Sequence, residues 1–220
     1  GGTVEVLGGV GAISADVDLS LSNLGFTVQR LAGADRYATA VAVADRLPAA
    51  NTVLLTSGLD FPDALSAGPA AAHAGGVVLL TNGTTMPSTT MGYLVAHAGA
   101  QVFAVGGAAA KAAPTVPASN QLVGADRYET GAMVASHFFD RPAGLTFASG
   151  ENFPDALSGG AFAALLATPI LLVHAGSVPP AVTSYLRANE TSVSRSAVVG
   201  GAAVVTENVR ASLESTLNGF

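Results

Sequence analysis

The sequence predicts an α/β protein built as tandem modules, with mainly parallel sheets covered by helices on both faces. Three observations lead there. Short all-apolar runs alternate with longer stretches of helical periodicity, the order expected of strand–helix–strand units around a parallel sheet. The chain repeats itself after about 90 residues, so whatever the first half folds into, the second half should fold into again. Half of the 220 residues are hydrophobic and only 11% are charged, against about 25% in an ordinary soluble domain. No Asp, Glu, Lys or Arg stands between Asp63 and Lys111, or between Asp155 and Arg187. Strands buried on both faces carry no charge, and Ala- and Gly-rich helices pack closely on them.

The elements follow in order. Thr3–Leu7 alternates as a strand and Ile13–Leu24 as a helix. Phe26–Leu31 is a strand. Asp35–Leu47 is a helix whose apolar side holds Tyr37, Ala40, Val41, Val43 and Ala44. Thr52–Thr56 is a buried strand, Phe61–Ala74 a helix, Val77–Thr81 a strand, Pro87–Ala98 a helix and Val102–Val105 a strand. The second copy gives a strand near Gln121–Val123 and a helix over 126–139. A strand over 144–148, a helix over 153–167 and a strand over 169–173 follow, then a helix over 179–189, a strand over 196–199 and a helix over 205–217. Residues 1–25 read as the tail of a preceding module. Residues 26–118 and 119–220 read as two modules of four strands each, the second ending at Gly219-Phe220 without a following strand.

Composition excludes several classes. The charge of −6 and pI near 5.0 argue against a nucleic-acid partner, which needs a basic surface. Without cysteine there is neither a disulfide scaffold nor a thiolate metal site. The apolar runs are long enough to raise a membrane span. They are broken by Pro69, His73 and Gly75-Gly76 in one case, and by Gly159-Gly160, Thr168-Pro169 and His174 in the other. Each reads as helix, break and short strand. The chain opens at Gly1-Gly2-Thr3, with no basic-then-apolar leader. It is therefore cytoplasmic, or a leader has been removed.

Two long motifs are duplicated. Leu31-Ala32-Gly33-Ala34-Asp35-Arg36-Tyr37-Ala38-Thr39 returns as Leu122-Val123-Gly124-Ala125-Asp126-Arg127-Tyr128-Glu129-Thr130. Each Asp sits where a helix begins and should cap it; each Gly should supply the turn out of the strand. Each Arg is left free to reach a loop, an acidic partner or a ligand. The segment Ser57–Gly68, with Asp60-Phe61-Pro62-Asp63 inside it, returns as Ser149–Gly160 with Asn152-Phe153-Pro154-Asp155. Asp or Asn can cap, Pro fits the first turn, and Asp63 and Asp155 fall near the positive end of the helix dipole. These loops and the Ser57-Gly58 and Ser149-Gly150 pairs lie at the carboxyl ends of parallel strands, where open α/β sheets place ligands. Gly-Gly turns recur at 8–9, 106–107 and 200–201, without dinucleotide spacing. His73, His97, His137 and His174 do not coincide between copies, so no repeated metal site is expected, and no nucleophile elbow occurs. No cofactor is expected and the chain reads as non-catalytic.

The run Arg30–Ala40, followed by Ser-Gly-x-x-Phe-Pro-Asp-Ala-Leu-Ser, a Leu-Leu strand and Val-Gly-Gly, each found twice, resembles the cell wall-binding repeat 2 family. The resemblance spans nearly the whole chain. It implies Rossmann- or Toprim-like modules packed in threes as a triangle, in secreted surface proteins of Gram-positive bacteria. It also implies non-covalent anchoring to an anionic secondary wall polymer such as a teichoic-acid-like glycan. The location would be extracellular and wall-associated. In clostridial members it points to an Ile-Leu-Leu segment near the polymer, here Ile170-Leu171-Leu172 and, less closely, Val78-Leu79-Leu80. The leucines have an obvious core role, so the strand ends Thr81 and Val173 are the better candidates. An acidic protein binding a polyanion needs placed Arg side chains, whose forks grip phosphate in bidentate fashion, or bridging cations. The expected ligand-side residues are therefore Arg30, Arg36 and Arg127, with Asp63, Asp155, Ser57, Ser149 and Thr81 on the same strand edges. With two modules and a fragment, self-association would complete a set of three. The competing readings are a protein-interaction or assembly module of the cell surface, such as a surface-layer or hydrolase-modulating unit, and a sugar-phosphate enzyme.

Overall fold

The computed structural model describes residues 1–48 and 50–217; the expected module end at Gly219-Phe220 lies outside the described residues. Three parallel sheets form. β1 (Thr3–Leu7) pairs with β2 (Thr27–Leu31), in register from Thr3 opposite Thr27 to Leu7 opposite Leu31, and α1 (Ala15–Asn23) connects them. The second sheet is ordered β4-β3-β5-β6, with β3 (Thr52–Ser57) central, β4 (Val77–Thr81), β5 (Gln101–Val105) and β6 (Gln121–Leu122). The third is ordered β8-β7-β9, from β7 (Gly144–Ser149), β8 (Ile170–Val173) and β9 (Arg195–Val199). The apolar central strands β3 and β7 are buried almost throughout, which accounts for the missing charge.

Helices cover both faces of the larger sheets. On β3 and its neighbours, α2 (Arg36–Ala44), α4 (Ser88–Ala96) and the short α5 (Gly107–Ala112) close one core around Leu55, Leu79 and Tyr93. On the opposite face α3 (Pro62–His73) and α6 (Arg127–Phe138) enclose Leu54, Phe103, Val105 and Val134. In the third sheet, α6, α8 (Pro180–Asn189) and α9 (Glu207–Leu217) pack over Phe147 and Leu171. The far face receives α7 (Phe153–Leu165) together with Leu65 of α3. The repeats therefore share cores: α3 reaches into the second, and α6 serves both.

Sheet pairing departs from the expected grouping of four strands per module. β2 and β6, which carry the Leu-x-Gly-Ala-Asp-Arg-Tyr motif into its helix, hydrogen-bond to the sheet preceding them. The amides of Gly8 and Gly106 donate to the carbonyls of Leu31 and Leu122 at 2.8 and 2.9 Å, locking the same junction twice. Grouped by hydrogen bonding, β2 goes with residues 1–25 and β6 with 26–118. The third sheet holds three strands among the described residues. The sequence gives no bounds for α5 or for a 3-10 turn at Ala118–Asn120, because six and three residues are too few to show a period. No described helix is long and apolar enough to cross a membrane.

Candidate functional site at the carboxyl strand edges

The duplicated motifs converge on the carboxyl edges of the sheets, and most of their conservation between copies has a local physical cause. Asp35 Oδ1 accepts from the Ala38 amide at 2.8 Å, and Asp126 Oδ1 from the Tyr128 and Glu129 amides at 2.9 Å, so both cap their helices as expected. The repeated Thr closes the same turn: Thr39 Oγ1 accepts from the Gly33 amide at 3.0 Å and Thr130 Oγ1 from the Gly124 amide at 3.1 Å. Gly33 and Gly124 do not turn the chain through a left-handed conformation, as the sequence suggested. They are glycine because the helix passes too close: a Cβ on Gly124 would lie 2.5 Å from the Thr130 nitrogen.

Arg36 and Arg127 have equivalent positions. Arg36 Nη1 donates to the Gly58 carbonyl, and Arg127 Nη1 to the Gly150 carbonyl at 2.7 Å. Each clasps the loop after the central strand of its sheet, using one of the guanidinium's five N–H donors. Arg36 is exposed and Arg127 half-buried. Arg30 is placed differently. Its Nε and Nη2 grip both carboxylate oxygens of Asp18 at 3.0 and 2.7 Å, and Nη1 donates to the Gly8 carbonyl at 2.6 Å. That guanidinium ties α1 to the end of β1, away from the other arginines' loops. Asp18, twelve residues earlier in the chain, is its partner.

Ser57 and Ser149 are buried, and each Oγ accepts from the amide two residues on, Leu59 or Glu151, at 3.2 Å. Thr81 is fully buried, its hydroxyl within bonding distance of the Gly83 carbonyl at 2.9 Å. Ile170, Leu171, Leu172 and Val173 are core residues, so the segment named by resemblance offers no side-chain surface. Asp63 and Asp155 make no cap; no side-chain cap bond closes either α3 or α7. They lie instead against the Gly-Gly turns: a Cβ on Gly200 would stand 2.7 Å from Asp155 Oδ2, and one on Gly106 would collide with Asp63 Oδ2. Burial, then the neighbouring Asp60, push the Asp63 carboxyl up to about 6, while Arg127 pulls it down.

Two adjoining cavities open here. One of about 500 Å³ is lined by Arg36, Ser57, Leu59, Asp60, Phe61 and Phe153, with the two Phe rings 5.2 Å apart across the junction of α3 and α7. The other, about 210 Å³, is polar and lies between Asp60, Asp63 and Gly107 of the first repeat and Gly124, Asp126, Arg127 and Thr130 of the second. Asp60 borders both. This cleft mixes arginine with carboxylate, and the described residues hold no group of three or more His, Asp or Glu arranged for a metal.

A cluster on the second edge escaped sequence reading. Tyr128 Oη and His174 Nδ1 are 2.8 Å apart, and Glu151 Oε1 lies 3.4 Å from that same nitrogen. Glu151 Oε1 also accepts from the Ala175 amide at 3.2 Å. The matching positions of the first repeat are Tyr37, Asn82 and Leu59, so only the tyrosine is shared. The mismatch between copies was the available signal, but pairing residues so far apart in sequence needs the fold.

Comparison with known proteins agrees with this architecture. The model of the family described as cell wall binding domain 2 matches residues 30–114 and again 121–210. The chain is 24% identical over 219 residues to the N-acetylmuramoyl-L-alanine amidase LytC of Bacillus subtilis (strain 168), covering 98% of this chain and 44% of the amidase. Cwp8 from Clostridium difficile superposes with a TM-score of 0.83 at 21% identity, over 99% of this chain and 38% of that one. Cwp6 from Clostridium difficile gives 0.83 at 24% identity, over 98% and 36%. The chain thus spans less than half the length of these proteins, and the solved structures share its mixed α/β fold with mainly parallel sheets. Two matched repeats over most of its length decide the assignment: this chain belongs to the cell wall binding domain 2 family.

Proposed function

We propose that the domain anchors a secreted, wall-associated protein by non-covalent attachment to an anionic secondary polymer, a teichoic-acid-like glycan, and that it does so without catalysis. One observation carries this reading. The two longest motifs shared by the repeats meet at two adjoining cavities joined at Asp60, one bordered by Arg36 and the other by Arg127, each held by one backbone bond with donors to spare. Fixed guanidinium groups recognise phosphate or carboxylate at little ordering cost. Asp60 and Asp63 beside them keep the site from being a general polyanion trap, so binding depends on placed contacts more than on net charge. Ser57, Ser149 and Thr81 act through the shape of the loops, and Arg30 through the fold of the N-terminal segment. The test is retention on purified walls before and after chemical removal of the polymer. Retention that falls on stripping and weakens with salt supports the reading; equal retention on stripped walls overturns it.

A second reading concerns assembly and rests on one contrast. Leu65 and Leu157 occupy the same position of the repeat, yet Leu65 is 5% exposed within the second repeat's core and Leu157 is 63% exposed. Phe153, Leu157, Ala161 and Ala164 of α7 continue that apolar face. A further unit of the same kind, from a neighbouring repeat or a second copy, would bury Leu157 as the second repeat buries Leu65. That is how self-association would complete a set of three.

A further inference from the structure

Tyr128, His174 and Glu151 form a cluster on the duplicated edge in which the second repeat shares only the tyrosine with the first. The tyrosine lies in the first turn of α6, the glutamate in the loop after β7, and the histidine directly after β8, so three segments meet at one imidazole. The ring centroids of Tyr128 and His174 are 4.1 Å apart. The side chains of His174 and Glu151 are 43% and 45% exposed, open to both solvent and ligand, while Tyr128 is buried beneath them. In the first repeat the same places hold Asn82 and Leu59, which do not titrate.

The ring's proton count decides the local charge. With the imidazole neutral, in either tautomer, the Glu151 carboxylate stands uncompensated in charge on the edge. When His174 gains a proton, Nδ1–H becomes a donor shared between Tyr128 Oη and Glu151 Oε1, and the pair is neutral overall. Glu151 directly follows Gly150, whose carbonyl is held by Arg127. Asp126 and Arg127 at the start of α6 act on Tyr128 with opposite sign, Arg127 more strongly, and Glu207 opens α9 next to Thr206, whose amide bonds the Ala175 carbonyl. Of the groups around this edge, histidine is the side chain whose charge ordinarily changes between pH 5 and 8.

We propose that the Tyr128–His174–Glu151 cluster makes polymer attachment respond to pH. Protonation of His174 cancels the Glu151 charge beside the Arg127 clasp and strengthens attachment of an anionic chain at the second repeat's edge. The first repeat has no histidine there; its Asp63, raised to about 6, also loses charge on acidification, and it does so equally in wild type and His174→Asn, so the ratio between those two isolates His174. This rests on the wall-polymer reading above, and the size expected is that of one half-exposed ion pair, roughly a 2–5-fold change in affinity.

The experiment compares the full chain with His174→Asn and Glu151→Leu, each of which installs the first repeat's own residue and is therefore compatible with the fold. Retention on purified walls is measured at pH 5.5 and pH 8. The wild type should bind about 2–5-fold tighter at the lower pH than at the higher, relative to the same ratio for His174→Asn. At pH 8 Glu151→Leu should bind like the wild type at pH 5.5, since in both the cluster carries no net charge. Equal pH ratios in wild type and His174→Asn overturn the proposal. Unfolding in urea, measured on each variant, shows that the chain is folded when retention is compared. Loss of wall retention at every pH in a folded wild type would instead sink the anchoring reading and with it this use of the cluster.

Discussion

At the scale of single residues, the charges of the first duplicated motif are committed to particular atoms, Asp35 and Asp126 to helix amides and the two arginines to loop carbonyls. Arg36 and Arg127 link helix starts to the loops after β3 and β7. We expect Arg36→Ala combined with Arg127→Ala to reduce wall retention, and to cost about 1–3 kcal/mol of stability for two charge-assisted bonds. Unchanged retention with unchanged unfolding in urea would remove both from the site. Asp63 gives a pH prediction with a definite sign. Its carboxyl is raised from 3.8 in the unfolded chain to about 6 in the fold, so the native state holds its proton more tightly. The stability this confers is present below about pH 4 and is lost as pH rises towards 6. Asp63→Asn should therefore be more stable than wild type at pH 7 by about 1–2 kcal/mol, screening included. The advantage should vanish near pH 4; parallel stability curves from pH 4 to 7 would contradict it. Of these roles, the Asp35 and Asp126 caps were legible in sequence, because a cap acts within four residues. The Asp18–Arg30 pair and the His174 cluster were not, since a salt bridge between distant residues leaves no periodic trace.

At the scale of elements, each Gly-Gly turn is a fixed bend rather than a flexible one. Gly8, Gly106 and Gly200 have φ of 117°, 85° and 116°, a left-handed region that a side chain resists. Asp63 and Asp155 lean on the latter two. Gly106→Ala should cost more than 2 kcal/mol, the strain and the collision adding. At Gly107, where a new methyl's nearest neighbour is Val123 at 3.7 Å, alanine should be nearly neutral. Equal denaturation midpoints for the two variants would refute this account. The helices and strands themselves were mostly readable in order and type from alternation and apolar runs. Their ends shifted by one to three residues where the last turn is closed by backbone alone, as where α2 stops at Ala44 although its apolar pattern runs further. The short α5 carried too little pattern to be seen.

At the scale of the whole molecule, α3, α6 and α7 join the repeats into one body, through Leu65 packed with Tyr128, Ala156 and Ile170. The equivalent face of α7 is open. Leu65→Asp should unfold the junction, since it buries a charge without a partner. Leu157→Asp should leave folding intact and abolish any concentration-dependent association seen by sedimentation velocity. A wild type that stays monomeric at all concentrations and binds no further repeat would count against this use of the face. The same head-to-tail logic bears on domain boundaries. We propose that the structural unit ends after the strand carrying the next motif, near Leu31 and Leu122, rather than before it.

The sequence by itself determined the period, the α/β class, the buried character of the strands and the motifs that reach the carboxyl strand edges. Alternation, apolar runs and local caps are properties of neighbouring residues, and they survive without knowledge of the fold. Only the tertiary structure decided that β2 and β6 close the sheets before them, that Arg30 serves Asp18 while Arg36 and Arg127 serve carbonyls, and that Tyr128, Glu151 and His174 meet at the second edge. Which strand pairs with which, and which acceptor a long side chain finds, depend on distances between segments far apart in the chain, and no local pattern encodes those distances.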